Sequence, residues 1–287
     1  MLSTEIFREA AERYRNGGLT PLLRSAPGYA AYLVHRKIRK SRVFRGEHQF
    51  DFYTDIRYRL HRRLFRAPAD PWTPIYIDPR SIQSLNTEIK KEWGFGRVKG
   101  GEWDAPEHCE PLPNHAVYHG LRQRFEAGLP WEETTYFEKA RRKIAAGKNR
   151  YGYNDLDTFR EVRCAWVDDL YRSIKEDGYR PNFERGHSAA SNTSSKVTTK
   201  RFIHRFEPVV VIGREGDPFL RDGVHRVAIA SILEIDEIPV HVLGRHRRWQ
   251  ARRDALATSQ NDRDELTTDE FDLSHPDFQD LLESPEE

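Results

Sequence analysis

Five consecutive residues, Asp222-Gly223-Val224-His225-Arg226, gather the groups that hold a phosphate. Behind them Ala228, Ile229, Ile232 and Leu233 recur at helical spacing, so a helix from His225 to Leu233 is expected to start at this turn. The first turn of a helix has N–H groups without acceptors and a partial positive charge, and anions bind there. Gly223 permits a positive φ and a close approach of backbone to a ligand, and Val224 would offer its own backbone. His225 and Arg226 put two further donors at the same end, Arg226 being suited to a bidentate phosphate contact. Asp222 has three open uses: it could orient His225 or Arg226, cap the helix, or hold a divalent cation beside the phosphates. Asp-Gly is also an ordinary turn, and the pentapeptide alone leaves that reading open.

Other residues compete for a chemical role. Glu102 and Asp104 flank Trp103 in the glycine-rich stretch 93–104. Two such carboxylates could hold Mg²⁺ on a nucleotide, or one could be a general base toward a substrate hydroxyl. The same loop could equally be a surface turn anchored by its tryptophan. Glu132 and Glu133 are read as the acidic start of a helix. His115 and His119 stand four apart, a spacing that can present two ligands on one helix face, but no third ligand is near and no metal site is expected. Arg245, His246, Arg247 and Arg248 could close over phosphates or form a solvated basic face. Two cysteines, Cys109 and Cys164, make neither a metal quartet nor a disulfide framework.

The elements that must position these residues follow from periodicity. Helices are expected over 3–16, about 27–42 and 52–65, before a linker marked by Pro68, Pro71 and Pro74. A strand follows at Ile75-Tyr76-Ile77, stopped by Pro79. Residues 114–147 read as two helices split near Gly128-Leu129-Pro130. Thr158 to Asp177 reads as an amphipathic helix through Phe159, Val162, Val167, Leu170 and Ile174, and 188–199 as a loop rich in Ser and Thr. Pro208-Val-Val-Val-Ile212 is a buried-strand pattern, and Glu215-Gly216-Asp217 is a turn into a return strand at Phe219-Leu220. Ile238–Leu243 is the next strand, and a basic helix, 245–257, closes the pattern. Strand, turn, strand, turn, helix, strand with short connections suits a mixed sheet.

The run Asp222-Gly-Val-His-Arg-Val-Ala-Ile-Ala230, followed by Glu237-Ile-Pro-Val-His-Val242, resembles the ParB/sulfiredoxin superfamily (ParB-like nuclease domain). Ile75-Tyr-Ile-Asp-Pro79 is similar to the opening strand of that fold. Gly100-Gly-Glu-Trp-Asp104, Leu129-Pro-Trp-Glu-Glu-Thr134 and Arg245-His246 with Trp249 resemble a branch of ParB-like proteins. The resemblance implies an α+β chain: a small mixed-sheet domain over 71–257, with a long, mainly helical insertion at about 80–207. A basic helical extension would occupy 1–70 and an acidic tail 258–287. It also implies nucleotide binding, with ATP or CTP and Mg²⁺ as cofactors and phosphates held by Gly223, Val224, His225 and Arg226. Asp104, Glu102 and Asp222 would be the candidate catalytic residues of a phosphotransferase or nucleotide hydrolase acting on a small-molecule acceptor. The alternative is a DNA-associated, nucleotide-gated binding protein or a nuclease. Val224 stands where sulfiredoxins carry cysteine, which removes sulfinic-acid chemistry. The chain after residue 245 is too short for the DNA-reading module of partition proteins.

Charge is segregated. Between Arg24 and Arg66 twelve Lys or Arg face only Glu47, Asp51 and Asp55, whereas from Gln260 onward eleven carboxylates face Arg263 alone. The basic region 24–66 could lie on an anionic membrane surface, hold DNA phosphates or simply wrap the domain, DNA being the weakest of the three without a recognition module, and the tail is expected to be solvated. No secretory signal opens the chain and no apolar run reaches bilayer length, so a cytoplasmic protein, peripheral at a membrane if the basic region binds one, is expected.

Overall fold

In a computed structural model, residues 47–182, 207–259 and 272–282 are described. The helices expected at 3–16 and 27–42 and the loop at 188–199 lie outside them. The chain divides into two compact units, Met1–Gln49 and Phe50–Glu287, and everything below concerns the second.

This unit is α+β and is built on a seven-stranded mixed sheet. Its strands are β1 (Ile75–Ile77), β2 (Ser84–Asn86), β3 (Arg97–Lys99), β4 (Cys109–Pro111), β5 (Val209–Ile212), β6 (Pro218–Asp222) and β7 (Ile238–His246). The order is β1-β7-β5-β6-β2-β4, with β3 paired to the end of β7. β7 runs parallel to β5 and β3 and antiparallel to β1; β5 and β6 form an antiparallel hairpin. The four β-branched residues of β5 and all nine residues of β7 are buried, as strands covered on both faces must be. Alternation divides them: Val210, Ile212, Val240 and Val242 face a large core, and Val209, Val211 and Leu243 face a smaller one with Ile89, Phe95 and Trp103. Each such valine contributes roughly 1.5 kcal/mol or more by leaving water.

Helices fill the large core. α1 (Glu47–Leu64) precedes β1, and α2 (Ala116–Phe125) and α3 (Thr135–Ala145) follow β4. Next comes a helical rod made of Leu156–Thr158, a π-helical turn Phe159–Cys164 and α4 (Ala165–Asp177). α5 (Val224–Ile232) links β6 to β7, α6 (Arg247–Ser259) follows β7, and α7 is the short turn Gln279–Leu282. The Thr134 hydroxyl caps α3 by accepting from Phe137 N at 3.3 Å. Gly120 lets α2 press onto the start of α3, because a Cβ there would lie 2.5 Å from Tyr136 N. That close approach places Tyr136 beside His225.

Several elements differ from expectation. The described part of 80–207 is mainly helical, as expected, but it is not only an insertion beside the sheet: it also supplies β2, β3 and β4. Three-residue strands are too short to show alternation, so pattern alone passes over them. α1 packs with this unit, not with a separate extension. Arg57 donates to the carbonyls of Phe95 (2.6 Å) and Trp93 (2.7 Å), and Thr54 Oγ1 accepts from Phe95 N at 3.0 Å. β7 continues to His246, so Arg245 and His246 are strand residues and both are buried. These two form no solvated face, whereas Arg247 and Arg248, which begin the next helix, are exposed. Part of the acidic tail is likewise core. The fully buried Asp277 accepts from Arg245 Nε at 2.8 Å and from Trp249 Nε1 at 2.8 Å, and Arg253 Nη2 donates to Asp280 at 2.6 Å.

Candidate anion-binding site

β6 ends at Asp222, and one residue turns the chain into α5. Gly223 makes that turn with φ +90°, in the left-handed region that costs glycine little. A Cβ there would also come 2.7 Å from Pro208 Cα, so conformation and space both call for glycine. Asp222 Oδ1 accepts from Gly223 N at 2.9 Å, and its other oxygen pairs with Lys91. No side chain caps α5, and the N–H groups of Val224 and His225 meet no acceptor among the described residues. The expected N-terminus is therefore present, and open.

The His225 ring leaves this first turn into an aromatic enclosure formed by Tyr136, Tyr151 and Trp166, with centroids 5.6, 5.7 and 5.9 Å away. Its Nε2 lies 3.2 Å from Arg163 Nη2 and 3.3 Å from the Tyr136 hydroxyl. A guanidinium only donates, so Nε2 accepts from it and the neutral ring carries its proton on Nδ1. Arg163 Nε also donates to the Tyr136 hydroxyl at 2.9 Å. The Arg163 guanidinium lies over Tyr151 and Trp166, 4.2 and 4.0 Å from the ring centroids. Arg150 donates to the Tyr151 hydroxyl at 2.9 Å and lies 4.1 Å from the centroid of the same ring.

Local backbone forms explain how these side chains arrive. Tyr151 (φ +52°) and Gly152 (φ +89°) are the centre of a tight turn closed by Tyr153 N donating to Arg150 O at 3.0 Å, with Arg150 N donating back to Tyr153 O at 2.8 Å. Positive φ at both central positions defines a type I′ turn, which favours Asn or Gly at its first centre. A tyrosine there costs about 1–3 kcal/mol unless its contacts hold it, and two arginines do. Arg163 arrives by the π-helical turn, a feature that often marks functional sites. Phe159 and Val167 are both fully buried although 167 − 159 = 8 residues separate them. A regular α-helix would rotate the second about 80° off the first, and the π turn absorbs the excess. Val162, expected in the core, is 46% exposed as a result, whereas Arg163 is 7% exposed.

The charge in this enclosure is one-sided. Neither Arg150 nor Arg163 has a carboxylate within 4.0 Å among the described residues. Arg150 Nε, Trp166 Nε1 and His115 Nδ1 are buried and lack hydrogen-bond partners. Burial, then the charges of Arg163 and Arg150, hold His225 well below the ordinary histidine range, so it is neutral. His115 is lowered by burial, then by Lys139 and Arg150, with Glu110 acting in the opposite sense. Buried donors without acceptors cost about 1–3 kcal/mol each, and a buried cation costs more. An anion within reach of Arg150 and Arg163 would balance their charge.

No protein-family model, curated protein or solved structure matches this chain.

The structure brings Asp222, Gly223, Val224 and His225 to this site but turns Arg226 away. Successive helix residues point about 100° apart, so neighbours such as His225 and Arg226 cannot both face one ligand. Arg226, 6% exposed, donates to Asn182 Oδ1 at 2.7 Å and lies 3.5 Å from Glu207, whose carboxyl burial raises. Glu102 and Asp104 sit at the other end of β6. Asp104 accepts from Arg214 N and Nη2, both at 2.7 Å, and Glu102 pairs with the same guanidinium at 2.7 Å. Burial opposes ionisation of Asp104, but the Arg214 hydrogen bonds outweigh it and hold the carboxyl below its usual range. Arg214 lies in the β5–β6 turn, and β6 separates it from Asp222 by roughly 13 Å at strand rise. Glu102 and Asp104 thus fasten a hairpin. Arg150, Tyr151, Arg163, Tyr136 and Trp166 take the places beside His225. The signal for Arg163 lies in the sequence, four residues after Phe159 and four before Val167 on an apolar stripe.

Proposed function

We propose that this protein binds a nucleotide through its phosphates at the start of α5, on a domain of ParB/sulfiredoxin type. The observation that carries this reading is the pair Arg150 and Arg163, held beside an uncapped helix N-terminus with buried donors and no balancing carboxylate. The order β5, β6, Asp222-Gly223 turn, α5, β7 agrees with the unit expected from the resemblance. Phosphates would take the N–H groups of Val224 and His225 and the free edges of Arg150 and Arg163; Arg226 would support α5 from behind. The residues suit ATP or CTP phosphates better than they suit a metal cage. Among the described residues no group of three or more His, Cys, Asp or Glu could hold a metal ion. Mg²⁺ would therefore ride on the phosphates, with Asp222 the one carboxylate at the turn able to leave Lys91 for it. Transfer to a small-molecule hydroxyl, or hydrolysis, is the activity this arrangement would serve; the proton acceptor would be Asp222, and not Asp104 or Glu102.

Thermal unfolding with ATP, ADP, CTP, GTP, pyrophosphate and phosphate, each with and without Mg²⁺, tests the reading. A nucleotide at a hundred times its Kd should stabilise the protein by about 2.7 kcal/mol. Arg163→Lys and Arg150→Ala, folded by circular dichroism, should lose most of that shift. If none of these anions stabilises the wild type, the reading fails. ³¹P spectra of a binding nucleotide then separate transfer from hydrolysis and from binding without turnover.

A further inference from the structure

α1 presents a second surface that the anion site does not use. One side of the helix is fastened to the sheet by Thr54 and Arg57. The other exposes Ile56, Leu60 and Leu64, 39, 51 and 72% accessible, in a row set by their four-residue spacing. Arg59 and Arg63 are exposed beside this row, and Arg66 follows the end of the helix. The surrounding sequence strengthens the sign of the charge, with twelve cations against three carboxylates from 24 to 66. One of those carboxylates, Asp55, is already engaged by Trp72 Nε1 at 2.9 Å. His61 sits within the fastened side, and burial, then Arg57 and Arg245, bring it down to about 4, so it adds no charge near neutral pH.

We propose that this face of α1 docks on an anionic lipid bilayer, lying in the plane of the surface. Ile56, Leu60 and Leu64 would enter the boundary between headgroups and acyl chains, and Arg59, Arg63 and Arg66 would meet lipid phosphates. No described helix is long and apolar enough to cross a membrane. Nucleic acid would satisfy the arginines but leave three aliphatic side chains in water. A second copy of the chain would set two basic faces against each other.

The test is co-sedimentation of the full chain with vesicles of phosphatidylcholine alone and with about a third phosphatidylglycerol. Binding should require the anionic lipid and weaken with added salt. It should fall about tenfold or more in Arg59→Glu/Arg63→Glu, and comparably in Leu60→Ser/Leu64→Ser. All four positions are exposed, so melting temperatures should stay near wild type. Equal binding to both vesicles, no binding to either, or unaltered binding by either variant overturns the proposal. So does retention on duplex DNA that depends on Arg59 and Arg63 but not on Leu60 and Leu64, or a dimer in light scattering that Leu60→Ser/Leu64→Ser dissociates.

Discussion

At the scale of single residues, the site depends on groups that neutralise nothing. The Tyr136 hydroxyl lies within hydrogen-bond distance of both Arg163 and His225. Tyr136→Phe should leave Arg163 Nε without its acceptor, costing about 1–3 kcal/mol in unfolding experiments and lowering phosphate affinity. An unchanged melting temperature would mean that Arg163 finds another acceptor. His225 offers an independent check. Its folded pKa lies well below the unfolded value, so below about pH 6.5 the unfolded chain binds a proton that the folded chain refuses, and this contribution to stability falls as pH falls. In NMR spectra of the ligand-free protein, the His225 ring signals should stay flat from about pH 8 to pH 5; a titration centred near 6.5 would show an open ring. Arg163 also shows why the site was only half legible. A charged residue on a helix is read as facing outward, and although the spacing from Phe159 and Val167 places Arg163 on an apolar stripe, it does not say that aromatic faces from Tyr151 and Trp166 will receive it. Asp104 misled in the opposite way: a carboxylate in a glycine-rich loop suggests chemistry, and its partner Arg214 is 214 − 104 = 110 residues away.

At the scale of elements, the turn between β6 and α5 is the least replaceable part. Gly223→Ala meets both a positive φ and Pro208, so it should cost at least about 1–3 kcal/mol and displace the start of α5. The measurements are a melting curve and the loss of any nucleotide-induced shift; a variant that keeps both would place the ligand elsewhere. This strand–turn–helix–strand unit was legible because β5 and β7 carry β-branched apolar runs bounded by turn residues and α5 shows helical spacing. β2, β3 and β4 have three residues each, and they owe their pairing to neighbours far along the chain. Tertiary context, not propensity, makes them strands.

At the scale of the whole molecule, the acidic end of the chain holds the sheet's long strand and the helix after it. Burial opposes ionisation of Asp277, but the Arg245 charge outweighs it and holds the carboxyl below its ordinary range. Because the folded pKa is the lower one, this stabilisation is complete above about pH 4 and is lost as pH falls through the folded value. Asp277→Asn leaves Arg245 buried without its charge partner and should cost about 3–5 kcal/mol at neutral pH. The variant should also lose part of the acid sensitivity of the wild type. A melting temperature within a degree or so of wild type would show the clasp to be incidental.

The π-helical turn through Arg163 has a consequence for how such a site could be acquired. Two buried anchors, Phe159 and Val167, tolerate one surplus residue between them only by widening a turn. The arginine and the widened turn can thus be regarded as one insertion in an ordinary amphipathic helix. Deleting Arg163 outright, instead of truncating its side chain, should let the rod close with its anchors seven residues apart on one face. The shortened protein should melt above Arg163→Ala, since no empty pocket or stretched turn remains, and should be blind to phosphate. A deletion less stable than the truncation would argue that the helix was never regular at this point.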